Sequence, residues 1–204
     1  MTICYSDLDD VYCHRARILM CEKVAEIEFR YIESQRDLED LLTISPYHVL
    51  PALTDRDFFL YESRVIMDYI NERYPFPPMY AGDTKARAKQ RQGLYRLEQD
   101  WYQPLQTLQD DESSQVQKQQ VRVYLLEAIK EWQQALSANG FLLSDSLSIV
   151  DCYAIPVLWR LPVYGIKDQA IGQRMQAYMR QVFGLEAVQA SLTPMERSIR
   201  NELP

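Results

Sequence analysis

The chain has 204 residues, of which 47% are hydrophobic and 25% charged, a balance typical of a globular protein with a sizeable core. Its net charge of −7 argues against tight non-specific binding of nucleic acid, because an acidic chain repels phosphate. No apolar run approaches the ~18 residues of a membrane span, and the four cysteines are too scattered for a disulfide scaffold or a zinc site. We therefore expect a reduced, cytoplasmic protein without a metal and without a membrane anchor.

The first part of the chain mixes strand and helix signals. Residues 2–5 (TICY) predict a short strand, and apolar side chains recur on one helical face from Tyr12 to Met20. Residues 26–33 alternate between apolar and charged, which predicts a second strand. Residues 36–44 predict a short helix.

A strand pair and a third helix complete this region. PALTD and FFLY predict two brief strands joined by a turn at Arg56-Asp57. Residues 63–73 then place apolar side chains on one helical face. The order β-α-β-α-β-β-α predicts a mixed α/β domain, which we assign to residues 1–74.

A proline-rich stretch, YPFPPMYAGD (74–83), interrupts the helical pattern. Proline lacks a backbone N–H and restricts the residue before it, so a helix cannot continue through this stretch. We assign residues 75–83 to a linker and residues 84–204 to an all-helical domain.

The region after the linker shows helical periodicity with recognisable ends. Asp83 is placed to cap the first helix, and Asn139-Gly140 stops the second. Ser148 and Asp151 have the spacing of a capping box, in which the serine side chain accepts a backbone N–H and the acid reaches back. We expect helices over residues 84–110, 115–137, about 149–161 and 168–182.

This organisation resembles the glutathione S-transferase fold, in which a thioredoxin-like βαβαββα domain precedes an all-α domain. VLPAL (49–53) resembles the loop whose proline is cis in that fold, and Glu62-Ser63 resembles the turn that binds the γ-glutamyl end of glutathione. The resemblance implies a residual glutathione site at Leu50, Pro51, Glu62 and Ser63. The alternative is that these residues persist as scaffold, with the proline fixing a turn and the serine capping a helix.

The start of the first helix determines whether catalysis is expected. Thiol-using members of this fold carry the pattern Cys-Pro-Tyr-x-x-Arg-x-Arg, whose cysteine lies where helix amides and the helix dipole stabilise a thiolate. Asp10 aligns with that cysteine, and Val11 aligns with the proline. A carboxylate caps a helix well and raises the pKa of a nearby thiol such as Cys13. We therefore predict no catalytic residue and interpret Cys13 as packed, with a redox-active thiol as the alternative.

An enzymatic function remains the rival hypothesis. A glutathione-dependent transferase or reductase would use Tyr5, Ser6 or Cys13, which all lie near the first strand-to-helix turn. His14 and His48 lie in separate predicted elements, so no nucleophile–base pair is visible in the sequence.

Longer stretches narrow the resemblance. They are LYESRVIMDYINERYPFPPM, LEQDWY, FLLSDSLSIVDCY, LWRLP and VFGLEAVQASLTPMERSIR. These combinations are similar to the stringent starvation protein A family, the RNA polymerase-associated branch of this fold. The resemblance implies a non-enzymatic homodimer, without a cofactor, that binds RNA polymerase holoenzyme including its sigma factor under stress or starvation. Sequence-specific DNA binding is not expected.

The linker is the predicted partner-binding surface. In the family, a surface pocket built around a Pro-His-Pro stretch is important for activity, and it corresponds to Pro75, Phe76 and Pro77. Phe76 replaces the histidine, which removes a polar, titratable contact and leaves an apolar one. Because proline loses little entropy on ordering, these residues and Pro78 are expected to present a stiff apolar patch. A plain spacer is the alternative interpretation.

A run of cations follows the linker, with no acidic residue between them. A solvated helix face is the usual meaning of such a run. In this fold the same helix lies near the dimer interface, so the resemblance adds Lys85 and Arg87 as candidates for pairing protomers or meeting an acidic partner such as a sigma factor. The run consists of Lys85, Arg87, Lys89, Arg91 and Arg96.

Overall fold

The computed structural model describes residues 2–23, 26–34, 37, 39, 41–42 and 45–201. The chain forms two compact units, one from Met1–Met79 with Glu186–Pro204 and one from Tyr80–Leu185. We call them the α/β unit and the helical unit. The end of the chain thus belongs to the α/β unit, which differs from the predicted helical domain over residues 84–204.

A four-stranded mixed sheet forms the centre of the α/β unit. Its strand order is β2-β1-β3-β4, with β1 parallel to β2 and antiparallel to β3, and with β3 antiparallel to β4. This sheet confirms the predicted α/β class. The strands are Thr2–Ser6 (β1), Ile27–Tyr31 (β2), Ala52–Asp55 (β3) and Phe58–Tyr61 (β4).

Two helices of the α/β unit follow strands directly and pack against each other. Helix α1 spans Val11–Glu22, and helix α2 spans Ser63–Arg73. Both correspond to predicted helices, and α1 extends beyond the predicted Met20. Most of the helix predicted over residues 36–44 lies outside the described residues.

Five α-helices lie in the described part of the helical unit. The predicted helix over residues 84–110 is interrupted by a π-helical turn, Glu98–Tyr102. The predicted 168–182 helix begins instead as a 3-10 turn, Asp168–Ile171, and restarts after Gly172, whose φ of 92° favours glycine. The helices are Thr84–Leu97 (α3), Gln103–Gln109 (α4), Gln115–Glu131 (α5), Ile149–Trp159 (α6) and Gln173–Phe183 (α7).

The helix ends show why these segments fold as predicted. The Asp83 carboxylate accepts from the backbone N–H groups of Lys85 and Ala86 at 3.2 and 2.8 Å. Ser148 and Asp151 form the predicted capping box at the start of α6. Every residue of α6 is buried, so this helix forms the core of the helical unit.

The last two helices return to the α/β unit. They are Glu186–Ser191 (α8), which packs on α1, and Pro194–Asn201 (α9). Thr193 and Glu196 cap α9 reciprocally, because Thr193 Oγ1 accepts the Glu196 N–H at 3.1 Å and the carboxylate accepts the Thr193 N–H at 2.9 Å. Of the helices in the described ranges, none is both long and apolar enough to span a membrane.

Candidate functional site

Asp10 caps the first turn of α1, and this turn contains the buried thiol of Cys13. Asp10 Oδ1 accepts the Cys13 backbone N–H at 2.7 Å, so the carboxylate stands at the N-cap. Cys13 is fully buried, and its sulfur accepts the Asp7 N–H at 3.3 Å. Burial raises the pKa of Cys13 well above its ordinary value, and the Asp10 carboxylate raises it further. A thiol in this state is a poor nucleophile.

The other candidate nucleophiles are committed to internal contacts. Tyr5 is 8% exposed and packs with Leu41 and Ala52. Ser6 is fully buried, its hydroxyl accepting from Arg17 and donating to the Asp7 carbonyl at 3.0 Å. The Ser6 hydroxyl is thus held by a guanidinium and a backbone carbonyl, and neither of these groups is a general base.

The strand register brings the predicted glutathione residues together. Ala52 on β3 pairs with Tyr61 on β4, so Pro51 and Glu62 flank the same end of the strand pair. The Leu50–Pro51 peptide is cis, as the resemblance of residues 49–53 implies. Glu62 has a φ of 74°, which L-residues adopt rarely, and its carboxylate caps α2.

The Ser63 hydroxyl is bonded within the protein. Arg15 donates to it from Nε at 3.0 Å and from Nη2 at 2.6 Å. The hydroxyl donates in turn to Glu62 Oε1 at 3.2 Å, and Ser63 is 2% exposed. This arrangement favours the scaffold interpretation of the Glu62-Ser63 turn.

Arg15 and Arg17 are site residues to which sequence reasoning assigned no role. They occupy the two arginine positions of the pattern whose cysteine aligns with Asp10, so the pattern itself held the signal. Their partners were not visible, because Ser63 lies 48 residues from Arg15 and Glu196 lies 179 residues from Arg17.

The four predicted partner-binding residues of the linker form a continuous exposed segment, Pro75–Pro78, which we call the proline turn. Phe76 is 80% exposed, the largest exposed fraction among the large hydrophobic side chains of the described residues. Met79, which follows the turn, is 1% exposed and anchors it. The proline turn therefore presents a largely solvent-exposed aromatic ring between two prolines.

The two predicted basic contacts lie in the helical unit and differ in their surroundings. Lys85 is exposed in the first turn of α3. Arg87 is half-buried and donates to the carbonyls of Ala81 and Gly82 at 3.0 and 3.1 Å. Arg87 therefore also stabilises the turn that precedes α3.

A cavity of about 230 Å³ lies beside α3. Its wall combines the basic side chains Lys89 and Arg96 with the apolar surface of Gly93, Trp132 and Leu143. Small-molecule sites usually enclose roughly 300–1,000 Å³, so we assign no ligand to this cavity. No group of three or more histidine, cysteine or acidic side chains that could hold a metal occurs in the part of the chain that the structure describes.

Comparisons with known proteins define the class. Residues 6–78 match the family model for the glutathione S-transferase N-terminal domain, and residues 99–180 match that for its C-terminal domain. Glutathione transferase Omega 3C from Trametes versicolor superposes with a TM-score of 0.84 at 18% identity, over 94% of this chain and 89% of that chain. BphK, a bacterial GST, gives 0.82 at 22% identity, over 97% and 98%. The chain has the glutathione S-transferase fold.

Curated relatives define the family within this class. A stringent starvation protein A homolog from Coxiella burnetii is 32% identical over 197 residues, which cover 96% of this chain and 93% of the relative. The homolog from Pasteurella multocida is 37% identical over 189 residues, which cover 92% and 88%. The chain belongs to the stringent starvation protein A family, as its sequence motifs indicated.

Proposed function

We propose that this protein is a non-catalytic, cytoplasmic, homodimeric regulator that docks on RNA polymerase holoenzyme through its proline turn. Family membership supports the regulatory role. The observation that supports this contact is Phe76, an 80% exposed ring held between prolines. The buried, protonated thiol of Cys13 behind Asp10 supports the absence of catalysis.

A docking surface of this kind depends on a few anchors. Interface free energy concentrates in aromatic side chains that leave water for a partner's pocket. Burying an exposed phenylalanine contributes roughly 2–3 kcal/mol, which corresponds to a change of about 30- to 150-fold in the dissociation constant. Phe76 is therefore the residue whose truncation should weaken binding most.

The direct experiment titrates the dimeric protein against purified holoenzyme. We expect Phe76→Ala to raise the dissociation constant at least ~30-fold at unchanged melting temperature. Phe59→Ala is the matched control, because Phe59 is 49% exposed on β4 and lies in the same unit. An affinity of Phe76→Ala within twofold of wild type would remove the proline turn from the interface.

Basic residues of α3 are proposed as a secondary contact with an acidic surface, either on the sigma factor or on the second protomer. Lys85→Glu with Arg87→Glu should weaken one of these associations, and the effect should shrink at high salt because exposed charges are screened. Lys167→Glu is the control, since Lys167 is an exposed lysine of the same unit outside α3. Unchanged dimerisation and unchanged holoenzyme binding would dispose of this contact.

The rival function is a glutathione-dependent transferase or reductase, which the fold alone supports. We propose no catalytic cofactor, and residual glutathione binding at the Glu62-Ser63 turn would not support turnover. A chromogenic electrophile assayed with glutathione separates the two functions. Robust turnover that a single substitution at Tyr5, Ser6 or Cys13 abolishes would replace the regulatory proposal.

A further inference from the structure

We infer that Lys23 and Asn71 form an internal clamp that sets the shape of the proline turn, and that they are positioning residues for partner binding. The inference rests on the proposed function for its partner, RNA polymerase holoenzyme. Its structural part stands on contacts within the α/β unit.

The clamp grips the backbone on either side of Pro78. Lys23 follows α1 directly and is 5% exposed, and its ammonium group donates to the Pro77 carbonyl at 2.6 Å. The same group donates to Asn71 Oδ1 at 2.9 Å. Asn71 Oδ1 also accepts the Met79 N–H at 3.2 Å. One ammonium and one amide oxygen thus fix a carbonyl and an N–H two residues apart.

An ordinary spacer would not need these contacts. Three of the four residues of the proline turn are prolines and supply no N–H, so the turn cannot hold itself with regular backbone hydrogen bonds. Its exposed carbonyls could be satisfied by water. Burying an ammonium group costs free energy unless it is well paired, and here the Pro77 carbonyl and Asn71 Oδ1 both accept hydrogen bonds from Lys23. The arrangement indicates that the conformation of the turn matters.

A preset turn binds more tightly than a mobile one. A partner that captures a flexible segment must order its backbone and side chains, and this cost is subtracted from the affinity. With the Pro77 carbonyl and the Met79 N–H held from the inside, the backbone that carries Phe76 keeps one conformation before the partner arrives. The rigid, apolar proline turn is complementary to a preformed apolar pocket on the partner. Because this contact involves no charges, its affinity should depend little on salt.

Two pairs of variants test the clamp. Lys23→Met keeps the aliphatic stem and removes the ammonium, and Lys167→Met is its control at an exposed lysine of the helical unit. Asn71→Ala removes the shared acceptor, whereas Asn71→Asp retains an acceptor oxygen. A 4-fluorophenylalanine placed only at position 76 reports the conformation of the turn by fluorine NMR, and holoenzyme titration reports affinity.

We expect one narrow fluorine resonance for the wild-type chain, Lys167→Met and Asn71→Asp. Lys23→Met and Asn71→Ala should show broadened or multiple resonances and about tenfold weaker holoenzyme binding. Should Lys23→Met fail to fold, the comparison between Asn71→Ala and Asn71→Asp decides the matter.

The outcomes separate this inference from the proposed function. If Phe76→Ala weakens holoenzyme binding while Lys23→Met and Asn71→Ala keep one narrow resonance and wild-type affinity, the clamp is refuted and the docking proposal stands. If Phe76→Ala binds as wild type does, the docking proposal fails, and the fluorine spectra alone confirm or refute the clamp's effect on the turn. A broadened resonance in Asn71→Ala together with a narrow one in Asn71→Asp would assign the effect to the acceptor oxygen beside Lys23.

Discussion

Arg15 donates two hydrogen bonds to the hydroxyl of Ser63, at 3.0 Å from Nε and 2.6 Å from Nη2. Because Ser63 also donates to Glu62, the hydroxyl is held between a guanidinium and a carboxylate of the same protein. The contact joins α1 to the start of α2. A turn that resembles a glutathione site is therefore tied into the interior of the α/β unit.

Ser63→Ala should lower the free energy of unfolding. The variant and the wild-type protein should be retained equally on glutathione resin. A hydrogen bond to a charged group contributes about 1.5–3 kcal/mol to stability, and this variant removes the acceptor that Arg15 uses. Urea unfolding measures the loss, with Ser146→Ala at an exposed position as the control. A stable Ser63→Ala variant that loses glutathione retention would show that the turn is a ligand site instead of scaffold.

The pair formed by Arg17 and Glu196 should be the most sensitive charge contact that the structure describes. Both side chains are fully buried, and Arg17 Nη2 lies 2.6 Å from both carboxylate oxygens. Glu196→Gln removes the negative charge and leaves the guanidinium buried, so we expect a loss of about 3–5 kcal/mol in the free energy of unfolding.

The matched control is Glu131→Gln at an exposed ion pair. Glu131 lies 3.8 Å from Arg96, and their side chains are 71% and 53% exposed. This pair should contribute at most about 1 kcal/mol. Equal losses in Glu196→Gln and Glu131→Gln, measured by urea unfolding at pH 7, would contradict the role assigned to the buried pair.

The predicted elements that were confirmed depended on local signals. Asp83 and the Ser148–Asp151 capping box indicate where two helices begin, because their side chains bind the first backbone N–H groups. The alternation of apolar and charged residues indicates β2. The π-helical turn at Glu98–Tyr102 was not predicted from apolar periodicity, although Pro104, which lies just after it and has no backbone N–H to donate, is a sequence signal of the interruption.

Long-range contacts set the limit of the sequence prediction. The return of α9 to the α/β unit depends on Glu196 meeting Arg17 across 179 residues, and neither residue shows this by its local pattern. The exposed Phe76 could be predicted from its proline neighbours. Its clamp could not, because Lys23 resembles any polar residue that ends a helix.

The cysteines should react in an order set by burial. Burial raises the pKa of Cys4 to about 12 and that of Cys21 to about 11, and it raises the pKa of Cys13 well above the ordinary value. The half-buried Cys21 should therefore be alkylated first, and slowly, at about pH 7.5 in the native protein. Mass spectrometry after iodoacetamide treatment measures the order, with urea-unfolded protein as the reference. Native labelling of Cys13 as fast as in urea would revive the thiol-enzyme hypothesis.

Asp151 should make the protein less stable as the pH rises. A paired surface acid, whose pKa is lowered on folding, has the opposite effect. Burial raises its pKa from 3.8 to about 6, although its carboxylate accepts from Leu142, Ser148 and Tyr178. Between these values the folded chain holds a proton that the unfolded chain has released. The resulting stabilisation is fully present below pH 3.8 and is lost as the pH rises through about 6.

Asp151→Asn cannot titrate and isolates this contribution. The excess stability of wild type over Asp151→Asn should shrink by roughly 2 kcal/mol between about pH 4.5 and 7, given about 1.4 kcal/mol per pKa unit. Urea unfolding of both proteins across this range gives the difference, in which the other titrating groups cancel. Carbon NMR of the Asp151 carboxyl provides an independent reading, with an expected midpoint at a pH of about 6. Parallel stability curves, together with a midpoint near 3.8, would show that the four converging hydrogen bonds outweigh burial and keep the carboxylate ionised.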